Sequence, residues 1–174
     1  MMSSLAREKE IDQVWLALRV FPRREKHVMK LLQKKGIESW VPLQERTRRY
    51  KRKVRKVQLP LITQYVFIHT SIKKVGRALS VPGVIELVCP SGEIDPIPEE
   101  EIILMKRVVG EVSEIEVEPG KWQKGEEVEI VAGQLTGLKG HLVEWRGKQR
   151  LGIAMNQFQH TMIIEVPLHA LRKV

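Results

Sequence analysis

Apolar and polar positions change period twice within the first forty residues. Val14, Leu16, Leu18 and Val20 alternate with Trp15, Ala17, Arg19 and Phe21, a period of two that predicts a strand over Val14–Phe21. Both sides of that strand are largely apolar, which places it centrally in its sheet. Pro22 suits a first helical turn, Val28, Leu31 and Leu32 form a stripe at helical spacing, and Gly36 ends the helix. A second strand begins at Trp40–Leu43. The polar run Arg46–Lys56, around Thr47, Tyr50 and Val54, reads as a hairpin with a mobile basic tip. Tyr65–His69 is a further strand, Ser71 is placed to cap a short helix through Leu79, and Val84–Val88 follows the Val81-Pro82-Gly83 turn. Pro98-Glu99-Glu100-Glu101 opens a helix to Gly110, its carboxylates set at the positive helix end.

Beyond Gly110 the pattern shortens. Glu111–Pro119 is acidic and nearly free of bulky side chains, which predicts a linker over 111–121. Short strands then fall at 127–131, 141–146, 149–157 and 161–166, with a turn at Arg146-Gly147-Lys148 and one helical turn over Leu168–Leu171. Gly133, Gly137, Gly140, Gly147 and Gly152 each oppose a helix by about 1 kcal/mol against Ala. Val128, Ile130, Val131, Ile163, Ile164 and Val166 are β-branched and favour strands. The predicted fold class is therefore α+β, an α/β sandwich with an antiparallel sheet followed by a small β-barrel. Its divisions are a polar tail over 1–12, a first domain over 13–110, the linker, and a barrel domain over 122–174.

Charge sharpens this picture. The 174 residues carry a net charge of +9, which points to a polyanion or an acidic protein surface as partner. Its distribution is uneven: residues 1–59 hold 17 basic and 6 acidic side chains, whereas residues 93–129 hold 4 basic and 12 acidic.

Enzyme chemistry finds no foothold. The five histidines are scattered without carboxylate or cysteine partners at metal-ligand spacing. The Gly133–Gly140 loop lacks the Lys-Ser/Thr ending of a phosphate-binding loop, and Cys89 reads as an inert buried thiol. No metal, no cofactor and no catalytic group is predicted. A single cysteine fits a reducing cytosol. The charged start of the chain lacks the core of a signal peptide, and the longest apolar stretch, Leu59–Ile68, is too short to span a bilayer. A soluble, monomeric, cytoplasmic protein without membrane contact is the expectation.

Two sets of residues carry a family resemblance. The first is Trp15 in the opening strand, the Pro22–Gly36 helix, Trp40-Val41-Pro42, Tyr65-Val66-Phe67-Ile68 and Ser80-Val81-Pro82-Gly83-Val84. The second runs from Lys124-Gly125-Glu126-Glu127-Val128 through the glycine loop to Val143. Together they resemble the NusG family of transcription elongation factors, the first set its NGN domain and the second its SH3-like KOW barrel. The Arg24-Glu25-Lys26-His27 opening of the first helix and the basic hairpin look more like the specialised UpxY and RfaH-like antiterminators. One departure stands out: Ile62-Thr63-Gln64-Tyr65 replaces the Phe-Pro-Gly-Tyr or Phe-Pro-Asn-Tyr of relatives.

The resemblance implies a transcription elongation or antitermination factor. Its NGN domain would bind RNA polymerase through an apolar patch at Trp15, Leu61, Ile62 and Tyr65. Arg23, Arg24, Lys26, Lys73, Lys74 and Arg77 would contact DNA or RNA in the elongation complex, phosphate contacts that position without reading sequence. Leu135, Leu138 and Phe158 would meet the KOW partner, the ribosome or the termination factor Rho; on the residues alone they are equally core. The alternative is a ribosome-associated RNA-binding protein, since KOW barrels also occur in ribosomal proteins.

Overall fold

The computed structural model describes residues 13–120, 125–157 and 159–174. By its contacts the chain divides into two compact units, one reaching Val41 and resuming over Ile62–Ile102, the other made of Pro42–Leu61 and Ile103–Val174.

The first unit is built on a four-stranded antiparallel sheet. Strands β1 (Gln13–Val20), β2 (Glu38–Trp40), β5 (Tyr65–Ser71) and β6 (Val84–Leu87) lie in the order β2-β5-β1-β6. The doubly apolar strand is central, as its pattern requires. Leu16, Leu18, Val20, Val66 and Ile68 are buried with Val28 and Leu32 of helix α1 (Glu25–Lys34), which packs against β2 and β5. Ser39 Oγ donates to the Met29 carbonyl at 3.1 Å and ties this helix to the edge strand. Pro22 lies in the turn before α1 rather than in its first helical turn. Arg23 there adopts a left-handed φ of 64°, and the Arg24 N–H closes on the Phe21 carbonyl. After β5 a 3-10 turn (Ile72–Lys74) leads into helix α2 (Val75–Leu79), and α3 (Glu99–Glu111) follows the Pro90–Pro98 loop.

The second unit holds a hairpin and a six-stranded antiparallel sheet. The hairpin pairs β3 (Leu43–Tyr50) with β4 (Lys53–Pro60) and forms a sheet of its own. The larger sheet has the order β12-β8-β9-β10-β11-β7, with β7 Ile115–Pro119, β8 Glu127–Ile130, β9 Lys139–Trp145, β10 Lys148–Met155, β11 His160–Ile164 and β12 Leu171–Lys173. Val128, Ile130, Val143, Leu151, Ile153, Met155, Met162 and Ile164 are its core. Gly140 is required where β9 meets β10, because a Cβ there would stand 2.5 Å from the Gly152 carbonyl oxygen.

The linker expected over 111–121 is corrected by β7. Ile115 and Val117 alternate with Glu116 and Glu118, a period of two masked by its acidic half, and Ile115–Pro119 pairs with His160–Ile164. Glu116 accepts from Trp145 Nε1 at 3.0 Å and pairs with Arg146 at 3.1 Å, so the carboxylate pins the strand in place. The hairpin, expected within the first domain, groups with the second unit: Gln44 Nε2 donates to the Ser113 carbonyl and Arg46 Nη2 to that of Ile115.

Candidate nucleic-acid interface

Helix α1 sets out one basic surface. Its inward stripe is Val28 and Leu32, so Arg23, Arg24, Lys26, Lys30, Lys34 and Lys35 fall on positions left to solvent, and all are exposed. Lys73, Lys74 and Arg77 are exposed as well. They do not join Arg23 and Arg24. Arg77 Nη2 donates to the Lys35 carbonyl at 3.3 Å, at the far end of a helix roughly 15 Å long. There Arg77, with Lys34, complements the negative helix end. The basic face thus has two poles, and Lys34 and Lys35 at the second are not among the residues that the sequence marks for nucleic acid.

At the first pole sits the atypical turn. Glu25 is buried, and its Oε1 accepts from the Gln64 N–H at 2.8 Å. Gln64 holds a left-handed φ of 67°, a conformation that Gly and Asn adopt more readily than other residues, and its carbonyl accepts from Val20 N–H at 2.9 Å. The turn holds this geometry on a glutamine because it is bonded from both sides. Strain of about 1–2 kcal/mol in Gln64 is offset by those two hydrogen bonds.

The proposed apolar patch is altered by this arrangement. Ile62 is 3% exposed and Trp15 5% exposed, so both are core residues here. Trp15 is held in place because the β1–β5 register sets it opposite His69; the rings stack at 4.9 Å, and His69 Nδ1 meets Glu38 Oε2 at 2.9 Å. Leu61 is half-buried in the other unit, where its N–H closes the hairpin base on the Pro42 carbonyl. Tyr65 remains accessible in part. It heads a row across three strands, opposite Arg19, which pairs with Glu86 at 3.3 Å. Partial burial raises the phenol above its usual value, Arg19 opposing and Glu86 reinforcing the shift, so Tyr65 is a neutral hydrogen-bonding group. Arg19, an isolated charge in an apolar strand, was the signal for this row.

In the second unit, Leu135 and Leu138 are buried and do not offer a partner surface. Gly133 and Gly137, both at positive φ, fold the loop back so that the Gly137 N–H bonds the Ile130 carbonyl and the leucines turn inward. Arg107 Nη2 takes the outward carbonyls of Gln134 and Thr136 at 2.9 and 2.8 Å. Phe158 lies outside the described residues. Among the described residues no group of three His, Cys, Asp or Glu side chains is placed to hold a metal. Likewise no described helix is long and apolar enough to cross a membrane.

The most basic surface is the hairpin, which the sequence showed as a charge run and which was not assigned to a site. All eight of its Lys and Arg side chains are exposed, and so is Tyr50.

Known proteins place this architecture. The solved structure entitled "Domain interaction in Thermotoga maritima NusG" is 18% identical, covers 94% of this chain and 98% of its own, and superposes with a TM-score of 0.58. That likeness shows the fold. The MjSpt4:Spt5 complex is also 18% identical, over 92% of this chain and 96% of its own, with a TM-score of 0.32. Among curated proteins no match is found. Residues 13–106 match the NusG family model, described as transcription termination factor nusG. On that match, across more than half of its length, the chain belongs to the NusG family of transcription factors, and its first unit has the NGN-like α/β fold.

Proposed function

We propose that this protein is a specialised NusG paralogue, similar to the UpxY and RfaH-like antiterminators, that acts as a transcription elongation and antitermination factor. RNA polymerase binding is typical of NusG-family members, and the NGN domain, over 13–110, is the part of this chain that carries it. The family match over 13–106 is the observation that supports the reading most. Docking centres on the accessible Tyr65–Arg19–Glu86 row, whose phenol and ion pair suit a partly polar protein surface. By binding the closed polymerase better than the open one, the domain shifts that equilibrium without chemistry of its own.

Arg23, Arg24 and Lys26 at one pole of α1, and Lys73, Lys74 and Arg77 at the other, contact the DNA backbone of the elongation complex. The C-terminal sheet is a KOW barrel over 122–174 to which β7 adds a strand, and it recruits a second partner, a ribosomal protein or Rho.

The experiment is a pull-down of the full chain with purified core RNA polymerase. Binding is expected, and Tyr65→Ala weakens it while the far-ultraviolet circular dichroism stays unchanged. Retention on ribosomes alone contradicts the reading in favour of a ribosomal role. Equal polymerase binding by wild type and Tyr65→Ala moves the docking surface elsewhere.

A further inference from the structure

The fold does not account for the β3–β4 hairpin. Eight basic side chains face the single carboxylate of Glu45, and every residue from Thr47 to Lys56 is exposed. Antiparallel pairing sets Arg48 directly opposite Arg55, a like-charge pair that weakens a ribbon. Lys56 pairs with Glu45 at 2.9 Å and Arg46 bonds the Ile115 carbonyl. Arg48, Arg49, Lys51, Arg52, Lys53 and Arg55 have no acidic partner within 4 Å among the described residues. A two-stranded ribbon with no buried apolar face is marginal in water to begin with. Repelling arginines make sense on such an element only when an anion separates them.

The distribution of charge narrows the anion. Side chains of paired residues share a face, so Arg46, Arg48, Lys53 and Arg55 lie on one face, Arg49 and Lys56 on the other, with Lys51 and Arg52 at the turn. A single strand lying along the ribbon would use one face. It would also call for a platform of aromatics, and Tyr50 is the only aromatic of the hairpin. Charge on both faces fits an element flanked by two rows of phosphates, as in a groove. The B-form major groove admits a two-stranded ribbon, whereas the A-form major groove is too narrow for side chains to enter. The stretch nearest the tip, Thr47–Tyr50 paired with Lys53–Lys56 and exposed throughout, projects roughly 13 Å, which exceeds the groove depth of about 8.5 Å.

We propose that the β3–β4 hairpin is a β-ribbon that enters the major groove of double-stranded DNA, binding the duplex directly and without polymerase. Tyr50, 54% exposed, sits nearest the base edges, while Arg48, Lys53 and Arg55 on the same face, with Arg49 and Lys51, meet phosphate. The proposal is independent of polymerase docking and is tested on naked nucleic acid.

The full chain is titrated against a fluorescent B-form duplex at several salt concentrations, beside the same sequence as single-stranded DNA and as duplex RNA. Wild type binds the DNA duplex roughly tenfold or more tighter than either control, because neither offers an open major groove. The triple variant R48A/K53A/R55A keeps its circular dichroism and loses about two to three units of the log K against log salt slope. R48K/R55K retains that slope, which separates lost charge from lost folding should the alanine variant prove unstable. An unchanged slope in R48A/K53A/R55A, no duplex binding by wild type, or equal hairpin-dependent binding to single strands or duplex RNA each overturns the proposal.

Discussion

Helix α1 and the β3–β4 hairpin carry the same kind of charge for different physical reasons. The helix buries Val28 and Leu32 against the sheet, and its lysines and arginines occupy the positions left over. Those charges would be there for solubility alone, since an amphipathic helix needs a polar face. The hairpin buries little beyond its base, at Gln44, and its charges confront one another across the ribbon. Basic residues on the helix are compatible with nucleic acid, whereas those on the ribbon are at odds with a free ribbon. A charged surface is informative in proportion to what it costs the fold that carries it.

Substitutions in the two regions separate these cases. The largest effect is expected inside α1: Leu32→Ala, at a fully buried position, should cost about 2–5 kcal/mol in urea denaturation. Val54→Ala on the hairpin should change stability by less than about 0.5 kcal/mol. A comparable loss at both sites would mean that the ribbon packs against something it is not seen to touch. Next comes Glu25→Ala, which removes the acceptor of the Gln64 N–H and should cost about 1–3 kcal/mol; Glu25→Gln keeps an acceptor and should recover part of it. Arg55→Glu is expected to act in the opposite direction. By replacing the Arg48–Arg55 repulsion with an attractive pair, it should stabilise the hairpin by about 0.2–1 kcal/mol, read as slower amide exchange, while duplex binding weakens. The smallest effect belongs to Gln64→Gly, which relieves a left-handed φ of 67° at the expense of a more flexible unfolded chain. It should leave stability within about 1 kcal/mol of wild type.

Much of this architecture is legible in the residues. The alternation of Val14–Phe21, the Val28–Leu31–Leu32 stripe and the turn at Arg146-Gly147 each carry a period that backbone geometry enforces, and β1, α1 and the β9–β10 hairpin follow them. Strand β7 was hidden because two apolar side chains among glutamates look like a linker until Glu116 meets Trp145 and Arg146. The site was harder to read. A strand apolar on both faces does not say which of its side chains stays accessible, so Trp15 looked available, and Ile62, beside a turn, looked as available as Tyr65. Leu135 and Leu138 turn inward through a hydrogen-bonded loop whose closure depends on Ile130, several residues away. Charge runs are visible in any sequence, but the Arg48–Arg55 opposition exists only once the register is known.

The most direct test joins both halves of the account in one complex. A photo-crosslinking residue, p-benzoylphenylalanine, is placed at Tyr50 on the hairpin or at His27 on the exposed face of α1. Each full-length protein is then bound to core RNA polymerase on a transcription scaffold and irradiated. The account predicts that the probe at position 50 crosslinks duplex DNA, and that competing free duplex removes the adduct. A probe at position 50 that marks only polymerase subunits or RNA, in a complex that forms normally, would contradict it.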